Sequence, residues 1–410
     1  MRTEARSRLR PWVLITGSLV LSLLLAAGGM FFWLRSDADL RAADAEARAA
    51  GLPATWSERG FTLAPQAVLD ALQRLEVLRK RVPAWSPGTG PTWKPGQPPP
   101  DSMRAHHAAL PTADLAEVLA LIDALPWEPA ICRLSVDYTT SSPEVVTCKE
   151  LARLLGQRVA LAGRDDRERE LRRLLHLVQA LPRPGSAIHM LVRISMAGVL
   201  TNSVVGHLDD LRGSTTLPTE LGALADSFRP QVDEVVLVER LSLRASLTQA
   251  EDHLRTGIPL VASVLAIRWS RAEALRTLRA WSVAFAGVTD SRSRLALLKV
   301  LDADLVARSR LNPANYLTLL LLPAIRPTLN RSVSSALCLR LLAAELDGSP
   351  WPEDDFAPPG TPLVRVEREG KLVFAYSVGE NGVDDGGNTK KDLCFPLYGP
   401  IELAVSPPSP

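Results

Sequence analysis

The sequence lacks the short motifs by which many enzymes can be recognised. Its 410 residues contain no GxSxG nucleophile elbow, no phosphate-binding loop, no glycine-rich dinucleotide pattern and no HExxH metal site. Many active sites carry no such motif, so its absence does not exclude an enzyme. It favours a protein that acts by binding.

The charged residues and the cysteines also form no pattern that indicates a particular ligand. The net charge is only +2, and acidic residues are mixed with basic ones along the chain. A basic tract with interleaved aromatic residues is absent, so the sequence predicts no nucleic-acid partner. No CxxC or Cys/His spacing indicates zinc.

The few cysteines leave two interpretations open. Their even number permits two disulfides in an exported domain, with three possible pairings. One pairing joins Cys132 to Cys148 across a short loop and leaves Cys338 to join Cys394. The other interpretation is four buried thiols.

A long apolar run, Trp12 to Leu34, is the feature around which the chain is organised. It contains no charged side chain and matches the ~20 residues that a helix needs to cross a bilayer. Four arginines precede it, and positive flanks stay cytoplasmic. These are Arg2, Arg6, Arg8 and Arg10. The sequence therefore predicts a single-pass signal-anchor in the inner (cytoplasmic) membrane of a bacterial envelope, with the N-terminus inside and the remaining chain extracytoplasmic.

A cleaved signal peptide is the alternative, because Ala26, Ala27 and Gly28 offer a small-residue cleavage site. The apolar run is longer than the 7–15 residues of an ordinary signal sequence, which favours the anchor. Either interpretation exports the domain.

The composition shifts predict five segments. They are a basic N-terminus at 1–11, the transmembrane helix at 12–34, a helical stalk and connector at 35–64, a helical domain at 65–349 with a proline-rich loop at 83–100, and a small β unit at 350–410 with an acidic glycine-rich loop and a disordered proline-rich end. The predicted fold class is mainly α, a multi-helix array closed by a β-hairpin unit.

Hydrophobic spacing and helix-end signals place the helices. The predicted helices are 36–50, 65–81, 112–125, 147–162, 165–181, 186–211, 218–228, 230–256, 259–288, 291–310 and 328–346, with an apolar stretch at 315–322 that is too short to span a bilayer. The start at 147 rests on a capping box formed by Thr147 and Glu150. The helix at 186–211 carries polar residues, which favour a core helix over a second membrane span.

Near the C-terminus the spacing of apolar residues changes from that of helices to the alternation typical of strands. Alternation predicts strands at 363–369 and 371–378, joined as a hairpin at Gly370, and a third strand at 393–397.

Three stretches of the chain stand out: 46–60 with AAGLPATWSERG, 132–134 with 148–155 and 188–194, and the tail from Tyr376-Ser377-Val378-Gly379 through 384–387 to Asp392-Leu393. Together they resemble a group of uncharacterised, single-pass, helical proteins of planctomycete type. The tail is also similar to the calcium-loop end of type II secretion major pseudopilins. The chain lacks a prepilin cleavage site and its helical region is several times too long, so this resemblance implies a calcium loop and not a pilus subunit.

The acidic loop is the candidate metal site. Calcium takes six to eight oxygen ligands from carboxylates, amides and backbone on a turn-rich loop. The loop offers Asn381, Asp384, Asp385, Asn388 and Asp392. The spacing does not match an EF-hand, and an ordinary Asn/Asp/Gly turn is the alternative. No catalytic or cofactor-binding residue is predicted, and the histidines are expected to be packed on helices, with His106 and His107 on a loop.

Taken together, these features predict a membrane-anchored extracytoplasmic helical protein. We expect it to act as a binding or scaffold component of the cell envelope, with a protein partner there and the lipid bilayer around 12–34. The alternative is an envelope-associated enzyme, hydrolase-like, whose site the sequence does not reveal. A pocket that gathers several titratable groups with shifted pKa values would favour the enzyme.

Overall fold

The computed structural model describes residues 37–59, 62–63, 65–86, 93, 98–125, 132–133, 143–180, 187–228, 235–241, 244, 261–288, 290–309, 325–368 and 371–396. The predicted membrane span at 12–34, the apolar stretch at 315–322 and the proline-rich end beyond 396 lie outside the described residues. Most of the proline-rich loop at 83–100 lies outside them as well.

The described part of the chain is mainly helical. In chain order the helices are α1 (37–49), α2 (Trp56–Arg59), α3 (Gln66–Arg79), α4 (Asp101–Ala108), α5 (Thr112–Asp123), α6 (Pro143–Leu161), α7 (Arg164–Ala180), α8 (Ala187–Val205), α9 (Leu208–Leu211), α10 (Leu217–Phe228), α11 (235–241), α12 (Val261–Ala286), α13 (Ser291–Ser309) and α14 (Ile325–Asp347). The strands are β1 (Thr62–Leu63), β2 (Cys132–Arg133), β3 (Val364–Arg368), β4 (Lys371–Ser377) and β5 (Leu393–Pro396).

One hydrophobic core joins most of these elements. Helices α6, α7 and α8 pack against one another, α3 and α5 cover one side, and α14 packs on α8 and α10. Apolar residues at helical spacing face this core; on α3 they are Leu72, Leu75 and Leu78. The core also takes Leu363, Ala375 and Phe395 from the β unit, so this unit packs on the helices.

The α6–α8 contact depends on Gly156. A Cβ atom at this position would lie 2.6 Å from Val199 Cγ1 and 3.4 Å from Ser203 Oγ, both on α8. The missing side chain therefore lets the two helices approach more closely than any other residue would allow.

The C-terminal strands form an antiparallel sheet in the order β3-β4-β5. The buried carboxylate of Asp354 holds this sheet to the chain that precedes it. It accepts hydrogen bonds from Ser377 Oγ (2.7 Å), the Val378 amide (2.9 Å) and the Phe356 amide (2.9 Å). The hairpin and the third strand are confirmed; Gly370 lies outside the described residues. The parallel β1–β2 pair was not predicted as a pair.

Helix α1 packs on the domain along one side. Leu40 and Ala43 form a small buried cluster with Leu275 of α12. Ion pairs join Asp44 to Arg244 (3.1 Å) and Glu46 to Arg279 (2.8 Å). The helix predicted at 36–50 is thus observed, ending before Gly51 (φ +72°), and it is docked against α12.

The capping box predicted at Thr147 is wrong. Helix α6 begins four residues earlier, at Pro143, a residue suited to the first helical position. Thr147 is buried inside the helix, where its hydroxyl accepts a hydrogen bond from Arg79 Nε (3.1 Å). Arg79 also pairs with Glu150 (2.6 Å), so both residues of the supposed cap bind α3 instead.

Two further helix predictions need correction. His106 and His107 lie on α4 and not on a loop; Asp101 in its first turn complements the helix dipole. The single helix predicted at 186–211 is two helices, because His207 leaves the helical conformation (φ −138°, ψ 23°) before α9.

By length and composition, Ile188–Val205 could cross a membrane; it is the one such window in the part of the chain that the structure describes. This window belongs to α8, and 44% of it is buried. Arg193, Thr201 and Ser203 are buried polar residues within it, and α8 packs against α6, α7 and α14. These contacts are those of a core helix.

The close contact at Gly156 can be tested by a matched pair of glycine-to-alanine substitutions, at Gly156 and at Gly222. Gly156→Ala should lower the melting temperature, because overpacking a close contact costs about 1–3 kcal/mol. Gly222→Ala, inside α10 where no atom lies within 4 Å of a Cβ, should raise it, since alanine is about 1 kcal/mol better than glycine in a helix. Circular-dichroism melting of the full chain measures both. Equal and positive shifts would contradict the close α6–α8 contact.

Candidate functional site

The acidic loop between β4 and β5 is organised by Asp392. This carboxylate is buried and accepts hydrogen bonds from the amides of Gly387 (2.8 Å) and Asn388 (3.0 Å), with a longer one from Asp385 (3.4 Å). It therefore serves as the internal acceptor for the turn. Gly387, with φ +79°, sits against the rings of Phe374 and Tyr376.

The other predicted ligands also have internal hydrogen-bond partners. Asp384 accepts from the Tyr376 hydroxyl (2.9 Å) and from the Gly386 amide (2.9 Å). Asp385 accepts from Lys391 Nζ (2.9 Å) and Asn381 Nδ2 (2.7 Å), and these contacts hold its pKa below the usual value. The side-chain oxygens of Asn381 and Asn388 accept from backbone amides two residues further on.

These contacts are those of an Asn/Asp/Gly turn. Within the described residues, which include the whole loop, no three His, Cys, Asp or Glu side chains are placed together as a metal ion would need. Burial and the hydrogen bond to Asp384 raise the pKa of Tyr376, which keeps the phenol protonated. Calcium binding by the loop stays a prediction from the sequence.

Three of the cysteines are thiols in this structure. Cys148, Cys338 and Cys394 are not in disulfides, so neither Cys338–Cys394 nor a bridge to Cys148 is formed. Burial raises the pKa of Cys338 to about 12, and burial and Asp392 raise that of Cys394 to about 11. Both thiols are therefore protonated and unreactive at neutral pH.

Two of the described histidines contact backbone carbonyls. Buried His176 contacts the Leu125 carbonyl through Nε2 (2.7 Å), and His106 contacts the Pro83 carbonyl (2.9 Å). Burial and the nearby charge of Arg167 lower the pKa of His207 to about 4. His253 lies outside the described residues.

A charged groove of about 480 Å³ runs along α7 and gathers several titratable side chains. Of its lining residues, Arg173 binds Asp123 (2.8 Å). Arg173 also binds Glu170 (3.0 Å), which lies outside the lining of the groove and is bound by Arg158 as well (2.8 Å). Burial alone raises the pKa of Glu170, but the hydrogen bond and charge of Arg158, with the charges of Arg173 and Arg169, outweigh it and leave the pKa below the usual value. Such shifts are those of an ion-pair network that holds helices together, and not of a poised acid or base.

A second cleft, of about 630 Å³, has a different character. It lies between the start of the proline-rich segment, which supplies Trp85, and α6 and α8. Its other lining residues include Trp93, Glu150, Arg153, Gln157 and Asn202. We call it the tryptophan cleft.

The main chain of Trp85 is fixed to α6 by one side chain. Gln157 accepts a hydrogen bond from the Trp85 amide (2.9 Å) and donates one to the Trp85 carbonyl (2.8 Å). His107 also contacts Gln157 Oε1 (3.1 Å). This part of the proline-rich loop therefore packs back on the domain.

The sequence did not single out the α6 side of this cleft. Glu150, Arg153 and Gln157 recur at a spacing of three and four residues, which places them on one face of a helix. That polar stripe was a usable signal. The contribution of Asn202 from α8 depends on tertiary packing, and no local pattern shows it.

Comparisons with known proteins identify no relative: no family model, no curated protein and no solved structure matches the chain.

Asp392 and Asp385 provide a matched pair for the loop. Asp392→Asn should lower the melting temperature, because one of the two acceptor oxygens becomes an amide donor that cannot accept from the backbone, and each buried unpaired donor costs about 1–3 kcal/mol. Asp385→Asn should change it little, because its partners are exposed. Calcium at about 5 mM, with a chelator as the control, tests the predicted metal site: a calcium-dependent rise in the melting temperature that Asp392→Asn abolishes would make the loop a calcium site, and unchanged melting curves would make it an ordinary turn.

Glu170 provides a test of the ion-pair network. Glu170→Gln should cost about 3 kcal/mol at pH 7, since it leaves Arg158 and Arg173 without their buried partner. A carboxylate with a lowered pKa stabilises the fold above its unfolded pKa, about 4.3, and this contribution is lost as the pH falls through the folded value. The difference in melting temperature should therefore shrink below pH ~4.

Glu117→Gln is the control for this experiment. Glu117 binds Arg74 (2.6 Å), but both side chains are about half exposed and the pair is screened by solvent, so the loss should be much smaller than for Glu170→Gln. Equal losses for the two variants, or a pH-independent loss for Glu170→Gln, would contradict the interpretation.

Proposed function

We propose that the protein is a membrane-anchored extracytoplasmic binding protein, a scaffold component of the cell envelope. Residues 12–34 would hold it in the inner membrane with the N-terminus in the cytoplasm. The tryptophan cleft is the observation that carries the proposal, because its described lining residues supply contacts for recognition and no arrangement for bond making.

Several polar groups of the cleft are already engaged within the fold. Gln157 is engaged by the Trp85 main chain, and Glu150 is paired with Arg79. The buried Ser203 hydroxyl donates to the Val199 carbonyl of its own helix (2.8 Å) and so is not placed beside a base. A nucleophile needs an activating partner within hydrogen-bond reach, and a general acid or base needs a pKa near the working pH.

The docking of α1 supports a role at the membrane surface. The ion pair of Asp44 with Arg244 and that of Glu46 with Arg279 of α12 hold the domain against the segment that follows the predicted anchor. A domain docked on this segment would be held near the membrane surface, which suits a scaffold more than a freely tethered module.

In-cell cross-linking of the tagged full-length protein tests the proposal. After purification from membranes and mass spectrometry, we expect one envelope protein to be recovered reproducibly and in stoichiometric amount. A tagged segment of residues 1–36 is the control, since it keeps the anchor and lacks the domain. Recovery of the full-length protein alone, or of the same proteins with the control, would contradict the scaffold role.

A further inference from the structure

The tryptophan cleft carries an uncompensated positive charge. Arg79 and Glu150 neutralise each other at 2.6 Å. Arg153, one helical turn along α6, is exposed and has no ion-pair partner among the residues that the structure describes. A guanidinium remains charged at any physiological pH and binds carboxylates through parallel hydrogen bonds. The cleft therefore favours a ligand that carries an acidic group.

The remaining lining suits a ligand with hydroxyl groups and apolar faces. The half-buried indoles of Trp85 and Trp93 present large, rigid, amphipathic surfaces. The exposed Asn202 carboxamide offers both donors and an acceptor, as a hydroxyl-rich ligand requires. Pockets of this size that combine aromatic walls with a few polar groups are typical small-molecule sites.

Other anionic ligands fit less well. A nucleotide places several negative charges on phosphates, and the described lining has one unpaired cation for them. An extended peptide is held by main-chain hydrogen bonds to a strand edge, and helices and a loop supply the described walls of this cleft. Sugar rings pair apolar faces with many hydroxyls, and uronic acids add the single carboxylate that Arg153 requires.

We propose that the tryptophan cleft binds an acidic oligosaccharide, with sugar rings stacked on Trp85 and Trp93 and a carboxylate bound by Arg153. Asn202 hydrogen-bonds the ring hydroxyls. This inference rests on the proposed binding function and names the ligand class of that same site.

Calorimetry on purified full-length protein in detergent tests it with three probes. They are trigalacturonate, a hyaluronan tetrasaccharide and a mannuronate tetrasaccharide. We expect at least one to bind with a Kd of about 1 mM or better, and its methyl ester, which has the same rings and no charge, to bind at least about tenfold more weakly.

Variants locate the binding. Arg153→Ala should lower the affinity for the acidic probe to that for its methyl ester. Trp93→Ala should lower the affinities for the acid and for the ester alike, by several-fold. The control is Arg104→Ala, which removes an exposed arginine on α4, away from the cleft lining; it should change the affinity neither for the acid nor for the ester. Arg153 is exposed and makes no described contact, so its loss should leave the melting temperature unchanged.

The outcomes separate this inference from the scaffold role. No binding by any acidic probe, equal binding of acid and ester, or affinities unaffected by both cleft variants would overturn the inference. Binding of decaproline in place of the saccharides would overturn it in favour of a peptide groove. If no saccharide binds but the cross-linked protein partner is still recovered, only the saccharide inference is overturned. If no saccharide binds and no partner is recovered, the proposed binding function is overturned as well.

Discussion

The close contact of α6 with α8 at Gly156 is the constraint on which the rest of the described structure depends. Since no side chain stands between them, α8 lies near enough to place Ser203 and Val199 against α6. The same approach brings Asn202 beside the polar face of α6. The position of one glycine thus fixes the wall of the tryptophan cleft, and the packing density of a protein interior leaves little room for adjustment.

Several charged side chains of the described helical domain join one helix to another. Glu170 is clamped between Arg158 and Arg173, and Asp123 extends this network to α5. A buried pair of this kind adds little net stability over apolar packing, but breaking it is costly, so it specifies how the helices fit together. Arg153 departs from this pattern. Its position in an aromatic cleft therefore indicates a ligand contact and not a contact between helices.

The sequence predicts periodic elements well because burial of one helix face or one strand face dominates their energetics. The helix at Gln66–Arg79, with its buried leucines, and the hairpin at Val364–Ser377 follow from spacing alone. Thr147 was misplaced because a Ser/Thr-x-x-Glu pattern has the same letters whether the side chains cap their own helix or bind Arg79 of another. The acidic loop poses the same difficulty. Asp392 has the chemistry of a calcium ligand, yet in the fold its oxygens accept backbone amides, and only the three-dimensional arrangement distinguishes the two roles.

The tryptophan cleft could not be predicted as a site because its parts are each ordinary. A glutamine on a helix face, a proline-rich loop and an exposed arginine have many structural uses. They become a site because Gln157 binds both main-chain polar groups of Trp85 and so fixes the loop on α6 in the absence of a ligand. A ligand that enters a preformed cleft loses less free energy to ordering the protein than one that must organise a loop. The clamp therefore makes this end of the proline-rich segment part of the rigid helical scaffold, and that rigidity is what allows a single unpaired guanidinium to be selective.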